Sequence, residues 1–122
     1  MSVLTPFTAV YESASITGTT ADAGATVVYT VPSSFDAEIT MLLCTNGSAT
    51  HNASVQVYHA DTNVYSHLLR LHSISGNDTY NVLGPSRLYL HAGDKILAYK
   101  SAGTLDVSLS GKQYFNPART IS

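Results

Sequence analysis

The sequence predicts an all-β fold: a single antiparallel β-sandwich, jelly-roll-like or immunoglobulin-like, with an extended N-terminal segment. Turn-forming residues recur about every 10 to 14 positions, a spacing typical of a sandwich or barrel. Between the turns, apolar and polar residues alternate, so each strand has one buried face and one face in water. In addition, no stretch has the apolar spacing of a strongly amphipathic helix.

The alternation runs through six segments in chain order. The residues predicted to share buried faces are Val27, Tyr29 and Val31; Ile39, Met41 and Leu43; Val55 and Val57; Leu88 and Leu90; Ile96 and Ala98; and Leu105, Val107 and Leu109. The residues predicted to face water are Thr26, Thr30, Ser54, Gln56, Asp106, Ser108 and Ser110. Hydroxyl-bearing and β-branched residues suit an exposed pleated surface, which accounts for the high Ser and Thr content.

The second of these segments differs from the others because it is apolar on both faces. Leu42 and Cys44 interrupt the alternation over residues 35–45. A strand that is apolar on both sides is typical of the middle of a sheet, so we predict a central strand here. We expect Cys44, the one cysteine, to be a small buried apolar residue.

Two segments of the chain fit more than one local structure. Asn46-Gly47 is a hairpin dipeptide, but residues 48–52 are polar and do not resume the alternation, so we predict a longer loop. Residues 62–72 fit helical spacing as well as a loose strand pattern. We predict a strand there because the neighbouring segments are strands.

A chain of 122 residues supports one domain. We divide it into an N-terminal arm or edge strand (residues 1–20), the sandwich (21–115) and a C-terminal tail (116–122). Residues 1–20 and 112–122 carry more aromatic residues than a free tail usually does. The first segment is therefore either an edge strand or an arm that packs on a neighbouring subunit, and for the second we favour the end of the last strand. The candidate interface residues are Phe7, Val10, Tyr11, Tyr114 and Phe115.

Composition excludes several classes of partner. The net charge is -2, and the six Lys and Arg residues are scattered singly, which argues against a nucleic-acid surface. No apolar run approaches the roughly 20 residues of a membrane span. No signal-peptide pattern opens the sequence, so we expect the chain to be made in a cytoplasm and to stay there or assemble there.

No pattern of catalytic or metal-binding residues is present, so we predict no enzyme, no cofactor and no metal site. The histidines lack the spacing of metal ligands, and we expect them at the surface. The only glutamates are Glu12 and Glu38, and no nucleophile elbow or phosphate loop occurs. The histidines are His51, His59, His67, His72 and His91.

The order of several motifs is similar to that of a known group of proteins. A Tyr-Thr-Val-Pro strand (29–32) leads into the apolar strand, and a Leu-His-Ala-Gly-Asp turn (90–94) comes later. Together with the strands at 54–58 and 105–111, this resembles the small β-sandwich structural proteins of tailed bacteriophages over about residues 25–112. The resemblance implies a non-enzymatic virion component, made in the host cytoplasm, and supplies no catalytic residue.

From this resemblance we expect a capsid decoration or cement protein that binds the outer surface of the major capsid protein shell, as a trimer or dimer. Phe7, Val10 and Tyr11 would then add a strand to a neighbour's sheet. The alternative is a tail or fibre module that binds host-surface glycans through exposed tyrosines and the loops at 46–52 and 61–67.

Overall fold

The computed structural model describes residues 7–116, which form two antiparallel sheets packed face to face. This confirms the predicted all-β sandwich. Residues 1–6 of the predicted arm and 117–122 of the predicted tail lie outside the described residues. Within 7–116, no helix is long and apolar enough to cross a membrane. The strands are β1 (Phe7–Ser15), β2 (Thr26–Thr30), β3 (Phe35–Asn46), β4 (His51–His59), β5 (Val64–Ile74), β6 (Asp78–Asn81), β7 (Leu88–Leu90), β8 (Lys95–Lys100) and β9 (Leu105–Phe115), with a 3₁₀ turn at Asp22–Gly24.

Sheet A has the order β1-β9-β3, and two short strands, β6 and β7, both pair with the far side of β3. Sheet B has the order β2-β8-β4-β5. The predicted central strand is therefore confirmed, because β3 has partners on both sides. The ambiguous segment at 62–72 is a strand, β5, and a loop of residues 47–50 joins β3 to β4, both as predicted. β1 is an edge strand of sheet A.

A one-residue register shift divides β3 into two halves that bury opposite sets of residues. The pairing with β9 slips between Ile39 and Met41. Before the slip the odd-numbered Ile39 faces the core, and after it the even-numbered Leu42 and Cys44 do. The prediction that Ile39, Met41 and Leu43 share the buried face is therefore wrong for Met41 and Leu43, which are half-exposed. An extra residue in one strand reverses the alternation for the rest of that strand.

The residue opposite this slip is Gly111, which pairs with Ile39. A Cβ atom at Gly111 would overlap the carbonyl oxygen of Glu38 and would lie 2.9 Å from the Cα of Ile39. The missing side chain is therefore what lets β9 follow β3 closely through the irregularity.

A second register shift, in the pairing of β2 with β8, corrects the prediction of which β2 residues are buried. It falls between Val27 and Tyr29. Val28 and Tyr29 are both buried, whereas Val27 is exposed. The predicted shared buried face of Val27, Tyr29 and Val31 is therefore wrong for Val27.

Ser54 and Gln56, on the outer face of sheet B, are buried. The prediction that they face water is therefore wrong. The Gln56 side chain accepts a hydrogen bond from the Asp22 backbone N–H (2.8 Å) and donates one to the Asp22 carboxylate (2.9 Å). Ser54 Oγ accepts a hydrogen bond from the Leu71 backbone N–H at 2.8 Å. The 3₁₀ turn and the bulged strand β5 thus bury these polar groups, and each has a partner.

The Leu-His-Ala-Gly-Asp segment forms the turn between β7 and β8 that the sequence predicts. Gly93 has a φ of 87°, which favours glycine. The buried Asp94 carboxylate accepts one hydrogen bond from the Ala60 N–H (3.0 Å) and another from the His91 N–H (2.9 Å). One side chain therefore ties its own turn to the turn between β4 and β5.

Cys44 is buried in the core, as the sequence predicts. Burial raises the pKa of the thiol to about 12. Because the thiolate is the reactive form, the folded chain keeps this cysteine inert at neutral and mildly alkaline pH.

We predict that Gly111→Ala lowers the free energy of unfolding by about 1–3 kcal/mol, because the new methyl group overlaps the β3 backbone. Urea denaturation followed by circular dichroism measures the change. Ser110→Ala, at the half-exposed neighbouring position, is the matched control and should change stability by less than about 0.5 kcal/mol. Equal stability of the two variants would show that β9 does not need the close approach.

We predict that Asp94→Ala lowers the free energy of unfolding by about 3 kcal/mol, since two backbone donors lose a charged acceptor. Asp94→Asn should cost about half as much, because its amide retains one acceptor oxygen. Asp106→Ala is the control: this exposed carboxylate accepts from the Ser15 hydroxyl, and its loss should cost about 0.5 kcal/mol or less. A cost at Asp94 no larger than that at Asp106 would contradict the role of the turn.

We predict that a thiol reagent at pH 8 labels Cys44 only as fast as the chain unfolds, while a Ser13→Cys, Cys44→Ala variant with an exposed thiol is labelled at once. The unfolded chain releases the thiol proton from about pH 8.5 upward, whereas the folded chain holds it to about pH 12. The free energy of unfolding should therefore fall above pH 8.5, by at most about 1.4 kcal/mol per pH unit. Rapid labelling of Cys44 in the native state would refute its burial.

Candidate functional site

The outer face of sheet A carries aromatic and charged side chains at the end where β1 begins and β9 ends. The strand register brings them together, since Phe7 pairs with Tyr114 and Tyr114 with Asp36, one strand further in. In these strands the core residues lie at the alternate positions, so these side chains point outward. The core residues are Val10 in β1, Ala37 and Ile39 in β3, Leu90 in β7 and Leu109 in β9. We call this region the sheet-A surface, and its members are Phe7, Tyr11, Asp36, Glu38, Arg87, Tyr89, Lys112 and Tyr114.

Three large rings on this surface are unusually accessible. Tyr11 is 68 % exposed, Tyr89 67 % and Phe7 56 %. The Phe7 ring centroid lies 6.3 Å from that of Tyr114, and Lys112 Nζ lies 4.7 Å from the Phe7 centroid. Exposed aromatic rings next to charged groups are typical of surfaces that contact another molecule.

The candidate interface residues divide into three groups in the structure. Phe7, Tyr11 and Tyr114 lie together on the sheet-A surface. Phe115 is exposed but lies on the other side of β9, where its ring packs edge-on against Phe35 at 5.7 Å. Val10 is only 7 % exposed and packs in the core, so it is not part of the surface.

An ion pair lies in the middle of the sheet-A surface. Arg87 donates a hydrogen bond to the Glu38 carboxylate at 3.1 Å; the Glu38 side chain is 9 % exposed and that of Arg87 60 %. Hydrogen bonds from the Tyr89 hydroxyl and the Arg87 guanidinium hold the pKa of Glu38 below its ordinary value, against the opposing effect of burial. The same pairing raises the pKa of Arg87. The carboxylate is therefore fixed in its charged form.

A cleft of about 360 Å³ opens beside this ion pair, between β3 and β7. It exists because β7 pairs with β3 only from Ile39 to Ala37 and the chain then leaves the sheet at the Asp94 turn. A volume in this range is typical of small-molecule sites. We call it the β3–β7 cleft, and its lining residues are Asp36, Ala37, Glu38, Tyr89, Leu90, His91 and Tyr114.

The cleft was not found from the sequence, because its residues come from segments far apart in the chain. Glu38 and Arg87 are separated by 49 positions. Tyr89 had one local signal: it stands between Leu88 and Leu90, so the alternation places its ring on the outer face. No spacing in the sequence indicates that this ring would lie beside Glu38.

Two residues that the sequence predicts at the surface or in a ligand-binding loop, His51 and Asn46, instead form hydrogen bonds within the protein. His51 is buried, which corrects the expectation of a surface residue, and its Nε2 lies 2.8 Å from the Thr104 carbonyl oxygen. The Asn46 amide, in the loop predicted to contact glycans, donates to the carbonyl oxygens of Ala49 and Ile74. Within residues 7–116, no three His, Cys, Asp or Glu side chains are grouped to hold a metal ion.

Comparison of the chain with models of protein families, with curated proteins and with solved structures found no significant match.

Proposed function

We propose that this chain is a non-enzymatic bacteriophage virion protein that decorates the outer surface of the capsid shell in many copies and stabilises it. Its partner is the major capsid protein or another virion subunit. The observation that carries the proposal is β1, a nine-residue edge strand whose outer side pairs with no other strand of residues 7–116. The motif resemblance to phage sandwich proteins supports the virion setting.

The open side of β1 presents a regular row of backbone donors and acceptors. Ile16 N–H donates to the Leu105 carbonyl oxygen at 2.8 Å, which sets the phase of the ladder between β1 and β9. By the alternation of antiparallel pairing, every second residue of β1 then directs its N–H and C=O away from β9. These residues are Phe7, Ala9, Tyr11, Ser13 and Ser15.

Most of the usual protection of an edge strand is absent from β1. The strand, Phe-Thr-Ala-Val-Tyr-Glu-Ser-Ala-Ser, contains no Pro and no Lys, and its one charged residue is Glu12, on the same face as Val10. Its register with β9 also runs without a shift from Phe7 to Ser15. Such a strand suits the addition of a partner strand by main-chain hydrogen bonds, with Phe7 and Tyr11 adding apolar contacts.

The low charge of the chain fits attachment to a shell. Only 11 % of the residues are charged, and long charged side chains are depleted from the centres of interfaces. Many modest contacts on one particle, or contacts of a dimer or trimer, hold a protein far more firmly than one contact does.

The alternative function is a tail or fibre module that binds host-surface glycans, which the β3–β7 cleft favours. The copy number of the chain in purified virions, measured by quantitative mass spectrometry against the major shell protein, distinguishes the two. A number comparable with that of the shell protein supports decoration. A small ring of copies supports the tail module and contradicts decoration.

We predict that Ala9→Pro abolishes binding to the shell while the chain still folds. The Ala9 N–H points to the open side, so proline removes no bond between β1 and β9 but blocks an added strand. Occupancy on purified particles should fall at least tenfold, and deletion of residues 1–12 should have the same effect.

Ala9→Ser is the matched control, because it retains the N–H and should leave occupancy unchanged. Thermal unfolding of the isolated Ala9→Pro chain checks that the sandwich remains folded. If the folded Ala9→Pro chain occupies purified particles as fully as the unchanged chain does, attachment through the β1 edge is refuted.

A further inference from the structure

Tyr89 forms an aromatic wall of the β3–β7 cleft. Its ring is 67 % exposed and belongs neither to the core cluster nor to the residues packed against it. Tyr89 pairs with Glu38 across the two strands, and both residues line the cleft. A large exposed ring beside a carboxylate gives a ligand both an apolar face and a hydrogen-bond acceptor. Tyr114, half-buried, lines the cleft as well.

The cleft has both donors and acceptors for hydrogen bonds. The Glu38 carboxylate lines the cleft and has lone pairs beyond the one used by Arg87. Arg87 is not part of the lining, but its largely exposed guanidinium lies 3.1 Å from Glu38 and has further N–H groups to donate at the rim of the cleft. The Asp36 carboxylate accepts a hydrogen bond from the Asn116 amide at 2.9 Å, and His91 also lines the cleft. The polar groups therefore suit a ligand that both donates and accepts.

The formal charges around the cleft cancel. Asp36 and Glu38 line the cleft and supply two negative charges. Arg87 and Lys112 are outside the lining but lie beside Glu38, one as its ion-pair partner and one as its cross-strand neighbour, and they supply two positive charges. A site whose charges are balanced by its immediate surroundings has no strong preference for an anion or a cation. This favours a neutral ligand rich in hydroxyl groups.

We propose that the β3–β7 cleft binds a neutral sugar, with one pyranose ring stacked on Tyr89. The C–H groups on one face of a pyranose are weakly electropositive and match the electron-rich face of an aromatic ring. Adjacent hydroxyl groups donate to the Glu38 and Asp36 carboxylates and accept from Arg87. A cavity of about 360 Å³ accommodates one sugar ring and part of a second.

Sugar binding in this position does not require attachment through β1. Most of the cleft lining lies on β3, on β7 and in the turn after β7, whereas β1 is the opposite edge of sheet A. Tyr114, on β9, lines the cleft and also contacts Phe7 of β1. Sugar binding deepens the alternative function, the glycan-binding module, and it rests on the cleft, whereas decoration rests on the β1 edge, so a failure of either proposal leaves the other standing.

The test is a titration of the ¹⁵N-labelled full chain with methyl β-D-glucopyranoside, methyl β-D-galactopyranoside and N-acetylglucosamine, followed by two-dimensional NMR. We expect at least one sugar to shift the amide signals of residues 36–38, 89–91 and 114 saturably, with a Kd on the order of 1 mM. Tyr89→Ala should weaken that binding at least tenfold, and Tyr89→Phe, which keeps the stacking face, should weaken it less.

Tyr11→Ala is the matched control, because Tyr11 is equally exposed on the same face but lies outside the cleft. It should leave sugar binding unchanged. The spectrum of each variant also reports whether the chain is folded. Three outcomes overturn the proposal: no saturable shift with any of the sugars, the same affinity in folded Tyr89→Ala, or stronger shifts of the same signals with ethylammonium than with the sugars.

Discussion

The one-residue slip in β3 is the constraint on which the rest of sheet A depends. β3 pairs with β9 on one side and with both β6 and β7 on the other. Whether its odd-numbered or its even-numbered residues face the core therefore also determines which residues of these partner strands do. Before the slip, Glu38 points outward to the surface, and after it Leu42 and Cys44 point inward. Gly111 makes the slip sterically feasible, since any side chain there would meet the β3 backbone.

Buried polar side chains hold the loops of the sandwich in place. Asn46, at the end of β3, accepts hydrogen bonds from Ser48 and donates to the carbonyl oxygens of Ala49 and Ile74. Asp94 joins the turn after β7 to the turn between β4 and β5. Buried groups of this kind stabilise a fold only when all their partners are present. The Leu-His-Ala-Gly-Asp motif that includes Asp94 therefore indicates the fold, whereas the function depends on residues at the surface.

The two edges of sheet A differ in a way that gives each its own chemistry. β1 is long and regular and contains no Pro, Lys or register shift, which suits pairing with another strand. On the opposite edge, β7 has only three residues, and its early departure leaves a cleft beside Glu38 and Tyr89. One sheet thus combines an edge for a protein partner with a pocket for a small ligand, and the proposals for this chain rest on that combination.

The sequence by itself determined seven of the nine strands in residues 7–116, the central position of β3, the loop after Asn46 and the turn at Asp94. It left β1 open as an edge strand or an arm, and it did not predict the four-residue strand β6. These features follow from local rules, namely the period of two, the apolar content of a strand and the conformational preferences of turn residues. Local rules fail at bulges, because one extra residue reverses every later side chain; this is why Met41 and Val27 were assigned to the wrong face.

Only the tertiary structure decided which polar residues are buried and which surface residues meet. Gln56 is buried because Asp22, 34 positions away, folds over it, and Glu38 is fixed by Arg87, 49 positions away. Such contacts depend on the pairing of distant strands and have no signature in local spacing. The alternation could place Tyr89 on the outside of its strand, but the register of β1, β9, β3 and β7 was needed to bring Phe7, Tyr11 and Tyr89 onto one face.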